Sequence, residues 1–331
     1  MEERKRDHIE MAFASQVTKE HSDNRFSYEP LLGTHQAKLQ PFQFLGKTLS
    51  VPIWVSSMTG GTQLARTINS NLARACNEFG MGMGLGSCRI LLDNDKHFAD
   101  FDMRHIIGPN LPFYANIGIA QLEHMLADKS YPKLVELVNR LQADGLIIHV
   151  NPMQEWLQPE GDLLSRPPIE VIQEFLELTH LKIILKEVGQ GMGTESIKQA
   201  LSLPIEALEF AAFGGTNFAK VELMRSTAEE QELFAPFARV GHTAEQMLDT
   251  FNLLVNSGAQ VKCKNLIISG GVQSFLDGYY YTQKSVMPAV YGQASGFLKF
   301  AQGPYEPLKQ YVQNQIKGLT LAKAFLRVKH T

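Results

Sequence analysis

"GLIIHVNPMQEWLQPEGD", residues 145–162, changes character abruptly, and it is one of a series of similar units. An uninterrupted apolar run gives way at His149 to a segment dense in amide and carboxylate side chains. A short apolar run led by a glycine and followed by a proline reads as a strand buried on both faces, as in a parallel sheet covered by helices. The polar residues that follow it then mark the carboxyl end of that strand.

The same unit recurs from residue 51 onward. Candidate strands are "PIWVSSM" (52–58), "GMGMGLG" (80–86), "PFYANIG" (112–118), "GLIIHV" (145–150), "KIILKEV" (182–188), "IEALEFAA" (205–212), "KNLIISG" (264–270) and "AVYGQASGF" (289–297). Amphipathic segments separate them: Leu64, Ile68, Leu72, Cys76 and Phe79 share one helical face, as do Leu308, Val312, Ile316 and Leu319. Eight alternations predict an α/β fold, a (β/α)8 TIM barrel over 51–331, rather than a doubly wound sheet with an early GxGxxG turn. Two strands are weak on propensity, "GMGMGLG" for its glycines and "AVYGQASGF" for its polarity. Their glycines could instead let a flat ligand approach the backbone. Residues 1–50 are polar and irregular and are expected to form an N-terminal extension packed on the barrel.

Composition narrows the function. With 31 basic against 34 acidic residues and a net charge of −3, there is no global basic field for nucleic acid or an anionic membrane. Cys76, Cys88 and Cys263 are odd in number and far apart, which argues against a disulfide framework or a structural zinc site. No apolar stretch reaches the length of a membrane span, so a soluble, cytoplasmic protein is expected.

In a barrel of this type the chemistry sits at the carboxyl ends of the strands. Those ends are "MTGG" (58–61), "GSCR" (86–89), "NIG" (116–118), "HVNPMQE" (149–155), "KEVG" (186–189), "FGGTNF" (213–218), "SGGVQ" (269–273) and "GQASG" (292–296). Small residues and free N–H groups after the last two strands suit a phosphate, although each pair alone also suits a tight turn. Lys186 falls at an inward strand end, where a lysine needs an anionic partner or loses its proton. The starting "ERKRDH" reads on composition as a solvated charge cluster, His149 alone as a satisfied core histidine, and Cys88, Met81 and Met83 as packing residues.

Taken in order, "RKRDH", "MTGG", "GSCR", "HVNPMQEWLQPEGD", "KEVG" and "GGTNFAKVE" resemble the type 2, FMN-dependent isopentenyl diphosphate isomerase family over nearly the whole chain. The resemblance implies that FMN is held by Thr59, Gly60, Gly61, Ser87, Asn116, Lys186 and Thr216, with its phosphate near Gly271, Val272, Gln273, Gln293 and Ala294. It assigns the substrate diphosphate to Arg4, Lys5, Ser87 and Arg89, helped by His149 and Asn151. Gln154 would face the isoprene carbons, orienting or relaying rather than acting as a strong acid, and Glu155 would hold Mg²⁺. Glu160 and Asp162 are expected to satisfy the backbone of their loop.

The implied reaction is a 1,3-proton shift between isopentenyl and dimethylallyl diphosphates on reduced FMN, with NADPH as reductant, in a homo-oligomer of four or eight chains. A lysine near the N1–C2=O edge would stabilise the reduced ring. The chain departs from the family at Cys88, where glutamine is usual, and at Gln273, where arginine is usual; the second change removes one charge from the phosphate site. The region from Phe275 to Phe300 is also more aromatic than the family's usual last unit. Two rivals are an FMN-dependent 2-hydroxy acid oxidase or dehydrogenase, which needs a histidine base and arginines after strands six and seven, and a non-catalytic phosphate-binding barrel.

Overall fold

The computed structural model of the chain describes residues 2–57 and 63–329. Eight strands close a ring: β1 (Ile53–Val55), β2 (Gly82–Gly84), β3 (Phe113–Gly118), β4 (Gly145–His149), β5 (Ile183–Lys186), β6 (Ala207–Glu209), β7 (Leu266–Ser269) and β8 (Ala289–Gln293). Each pairs in parallel with its neighbours in sequence order, and β8 closes on β1. Helices run between the strands, so this is the expected (β/α)8 barrel. Every residue of β3, β5 and β7 is buried, which explains why these strands carry apolar runs rather than alternation.

The weak strands have packing explanations. A Cβ on Gly82 would lie 2.5 Å from Cζ3 of Trp54, and one on Gly84 would lie 2.4 Å from Cδ1 of Ile147. Trp54 is fully buried and meets Tyr114 edge-on, with ring centroids 6.2 Å apart. The glycines of β2 therefore make room for core side chains, Gly82 for the Trp54 indole and Gly84 for Ile147. In "AVYGQASGF" the strand stops at Gln293 and a helix, Ser295–Ala301, begins at once.

On the Gln63–Phe79 helix the buried face runs through Ala65, Ile68, Leu72 and Cys76, while Leu64 is 48% exposed. Steps of four residues drift around the helix by about 40° each, so Leu64 has rotated off the face that Ala65 and Ile68 bury. On the Glu306–Phe325 helix, Leu308, Val312 and Leu319 are buried as the spacing predicts.

The segment before the barrel is more ordered than its composition suggests. Phe26–Tyr28 pairs antiparallel with Leu326–Val328, near the other end of the chain, and Phe42–Phe44 forms a hairpin with Lys47–Leu49. Phe44, Leu45 and Leu49 are buried in the main core. Lys47 Nζ lies 2.6 Å from Asp144, the residue before β4, and Arg104 lies 2.8 Å from the same carboxylate. The hairpin is thereby tied to the amino end of the strands, which leaves the carboxyl end for function.

Replacing Gly82 with alanine should cost about 1–3 kcal/mol of stability through overpacking against Trp54. Urea unfolding with an unchanged m-value checks this, and an unchanged midpoint would refute it.

Candidate active site

At the carboxyl rim, β1 and the ends of β5 to β8 enclose a cavity of about 350 Å³. Its floor carries Ser56, Lys186, Glu209 and Ser269, and its walls carry Thr216, Val272, Gln273, Gln293 and Ala294. The size falls at the lower end of ordinary ligand pockets. Two loops meet backbone to backbone on one side. Gly270 has φ +87°, and a Cβ there would lie 2.1 Å from the Ala212 carbonyl oxygen; Gly271 has φ +69°. Only glycine fits such an approach in the left-handed region. Among the described residues, the backbone N–H groups of Gly214, Gly215, Gly271 and Val272 donate to no protein acceptor. This glycine cradle suits a phosphate.

At the neighbouring positions some polar groups are already engaged within the protein. The Gln273 N–H is taken by Asp277 at 3.0 Å, and Asp277 is in turn held by Arg25 at 2.8 Å. The Gln293 side chain is also engaged, donating to the Val272 carbonyl and accepting from Tyr311 and Gln315. At both positions the groups that could reach a ligand are reduced to what those bonds leave free.

Lys186 is buried at the end of β5 and its Nζ donates to the Glu187 carbonyl at 2.8 Å. Glu187 itself organises the following turn, its Oε2 accepting the N–H groups of Gly189, Gln190 and Gly191. Beside Lys186 in the strand register lies His149. Its Nδ1 is 2.7 Å from Oδ1 of Asn116, whose amide nitrogen donates to Ser57 and to the Leu85 carbonyl. That orientation of Asn116 makes His149 the donor through Nδ1–H and leaves Nε2 as an acceptor. Burial, and then the Lys186 ammonium, push the His149 pKa down to about 3. The ring is therefore neutral near pH 7.

The turn after β4 forms the short helix Pro152–Leu157. Asn151 is buried and its amide nitrogen donates to Glu155 at 2.8 Å and to Gln154 at 3.2 Å, while its own Oδ1 is buried without a partner. Gln154 donates to Glu222 at 3.1 Å, and Glu222 is paired with Arg225. The other Glu155 oxygen accepts the Asp162 N–H at 2.9 Å. The Asp162 and Glu160 carboxylates are not spent on the loop's backbone as the sequence predicts. Asp162 takes Arg89 at 2.7 Å and Gln121 at 2.9 Å, and Glu160 pairs with Arg225. The reason is tertiary: Arg89 follows β2 and Arg225 ends the helix Phe218–Arg225, and both reach residues 160–162.

Arg89 and Ser87 are exposed at the rim. Arg4 and Lys5 lie exposed on the polar helix Glu2–Met11, and among the described residues neither bonds to a rim residue. Thr59, Gly60 and Gly61 lie outside the described residues. Cys88 is buried and its pKa is pushed up to about 12, consistent with packing. Sequence reasoning passed over Glu209, Ser56, Ser269, Glu222 and Tyr311. A buried glutamate inside "IEALEFAA" was the one visible signal, since a charged residue in an apolar strand needs a partner.

The chain is 33% identical over 328 residues to the isopentenyl-diphosphate delta-isomerase of Rickettsia africae, covering 96% of this chain and 92% of the relative. The enzyme of the same name from Rickettsia typhi is 32% identical, again over 96% and 92%. The chain belongs to the isopentenyl-diphosphate delta-isomerase family. It is an isomerase of the class expected from its strand-end residues. No family model matches it. Among solved structures it resembles the flavin-binding domain of baker's yeast flavocytochrome b2, with TM-score 0.61, 13% identity, and 91% of this chain and 72% of that one covered. A mandelate oxidase mutant with (S)-mandelic acid gives TM-score 0.59 at 12% identity, covering 93% and 88%. These two likenesses establish the fold, and the family stands on the sequence relatives.

Because the folded pKa of His149 lies below its ordinary 6.5, the unfolded chain binds that proton more readily. The stability associated with the neutral ring is complete above about pH 6.5 and is lost as pH falls toward 3. NMR of the imidazole should show no titration of His149 between about pH 8 and 5, and a midpoint near the free value would contradict the assignment.

Proposed function

We propose that the chain interconverts isopentenyl and dimethylallyl diphosphates by a 1,3-proton shift, with reduced FMN in the cavity beside Lys186. The observation that carries the reading is the family membership over 96% of the chain, combined with one rim that gathers Lys186, His149, Asn151, Gln154 and Glu155. An unactivated alkene must gain one proton and lose another, which calls for an acid and a base in a site that excludes water. When bound and reduced, FMN supplies both on one ring face.

The residues fit that group. The glycine cradle offers unpaired N–H groups to a phosphate, and Lys186 has two hydrogens left for a ring oxygen after its bond to the Glu187 carbonyl. Asn116 lies within hydrogen-bond reach of the same floor through Ser57 and His149, and Thr216 lines the wall. Ser87 and Arg89 stand exposed at the rim for the diphosphate, while His149 and Asn151, whose N–H groups are spent on Asn116, Gln154 and Glu155, position the strand end next to it. Arg4 and Lys5 would complete this set if the polar helix that carries them closes over the rim.

Gln154 is positioned by Asn151 on one side and Glu222 on the other, so its amide is aimed rather than free. It holds the isoprene carbons in line. Among the described residues no group of three His, Cys, Asp or Glu gathers as a metal site. A Mg²⁺ ion needs fewer protein ligands when phosphates and waters complete its shell. The Glu155 carboxylate and the orphaned Asn151 Oδ1 are suitable hard oxygens for it. NADPH as reductant, a homo-oligomer and a cytoplasmic setting follow from the resemblance. No described helix is long and apolar enough to cross a membrane.

The 2-hydroxy acid oxidase alternative needs a histidine and arginines around a carboxylate after β6 and β7. Among the described residues lining the cavity there is neither; Lys186 is the cation present. A non-catalytic barrel would have no use for the buried polar chain from Asn151 through Gln154 to Glu222.

Purified protein given FMN, NADPH and Mg²⁺ without oxygen should isomerise isopentenyl diphosphate. Protein that binds no FMN and stays inactive defeats the reading, whereas turnover of a 2-hydroxy acid without isomerisation favours the oxidase. Gln154→Ala should lower kcat by about 10²-fold, a misalignment effect, while FMN retention is unchanged. Glu155→Gln should raise the Mg²⁺ concentration needed for half-maximal rate. Unaltered kinetics in both variants would remove these roles.

A further inference from the structure

Glu209 is a buried acid in the cavity floor for which the isomerase chemistry above has no use. It ends β6, is 0% exposed, and lines the same cavity as Lys186. Its two oxygens are unlike. Oε1 accepts two hydroxyls, from Ser56 at 2.5 Å and from Ser269 at 3.0 Å. The Ser269 hydroxyl is held in place because it also accepts the Ala211 N–H at 3.0 Å. Oε2 is buried and has no partner among the described residues. The strand register sets Glu209 beside Lys186, yet no ion pair within 4.0 Å joins them among the described residues. A lysine and a glutamate thus flank one cavity without an ion-pair contact between them.

We propose that Glu209 is the buried counter-charge of the FMN cavity, a positioning residue that offsets part of the Lys186 field at the bound ring and so sets the balance between oxidised and reduced FMN. The inference rests on FMN occupying this cavity. Reduction adds negative charge to the ring, and a carboxylate enclosed in the same low-dielectric floor opposes that addition. Lys186 favours it. The pair keeps the ring from being held too firmly in its reduced form.

The charged group facing Glu209 is Lys186 from β5, while β1 and β7 present the hydroxyls of Ser56 and Ser269. His149, next to Lys186, stays neutral above about pH 3. Burial raises the Glu209 pKa, and Lys186 and the two hydroxyls act against that rise. The counter-charge is therefore present above the Glu209 pKa and lost as pH falls through it. Below that point wild-type protein carries a neutral acid, electrostatically equivalent to glutamine.

The test is the midpoint potential of bound FMN as a function of pH in wild type, Glu209→Gln and Glu209→Asp, with FMN affinity measured alongside. Glu209→Gln should still bind FMN and should favour the reduced form about tenfold more than wild type, a rise of about 30 mV for a two-electron couple. The gap should open above the Glu209 pKa and close below it, and Glu209→Asp should restore the wild-type value on the alkaline side of the bend. Equal potentials at every pH, or a gap that does not change with pH, overturns the proposal. If Glu209→Gln takes up no FMN, Ser269→Ala decides: loss of one hydroxyl donor should move the bend in the potential to higher pH, and an unmoved bend overturns it. Wild-type protein that binds no FMN overturns this inference together with the functional reading, whereas wild type that binds it with an indifferent Glu209 overturns the inference alone.

Discussion

Closing eight parallel strands into a ring gathers all eight carboxyl ends at one rim, and everything functional in this chain depends on that constraint. The strands are short, three to six residues, so closure leaves little interior to fill. Trp54 is fully buried there, and β2 gives up side chains at Gly82 to admit the indole and at Gly84 to admit Ile147. The other end is shut by the Phe42–Leu49 hairpin, with Lys47 and Arg104 converging on Asp144. Polar groups that would be costly in the core are thereby confined to one face.

That face has two electrostatic regimes. In the cavity Lys186 and Glu209 are enclosed together, with His149 beside Lys186 in the next strand, and burial is the largest influence on Glu209 and His149. At the rim, ion pairs dominate: Asp162 with Arg89, Glu160 with Arg225, Glu222 with Arg225. The loop after β4 joins the regimes, because Glu155 accepts from Asn151 below and from the Asp162 backbone above. Asp162 links the two levels, its carboxylate accepting from Arg89 and its N–H donating to Glu155.

Much of this was legible from residue order. Uninterrupted apolar runs followed by polar residues marked the strand ends, since parallel strands are buried on both faces and release the chain at the rim. Lys186 was recognisable because a lysine directly after "IIL" has nowhere else to point. Leu64 was misleading, since steps of four residues drift off the face that meets the barrel. Asp162 and Glu160 were misassigned because their arginine partners are distant in sequence, 73 and 65 positions away.

By itself the sequence determined the eightfold alternation, the rim segments and the family, because each rests on local periodicity or on motif order. Only the tertiary structure decided which rim groups are already spoken for. The Gln273 N–H belongs to Asp277, the Gln293 amide to Tyr311 and Gln315, and one oxygen of Glu209 to Ser56 and Ser269, leaving the other bare beside Lys186. The physical reason is that hydrogen-bond satisfaction and desolvation are properties of what folding brings together across the ring, and no spacing along the chain encodes them.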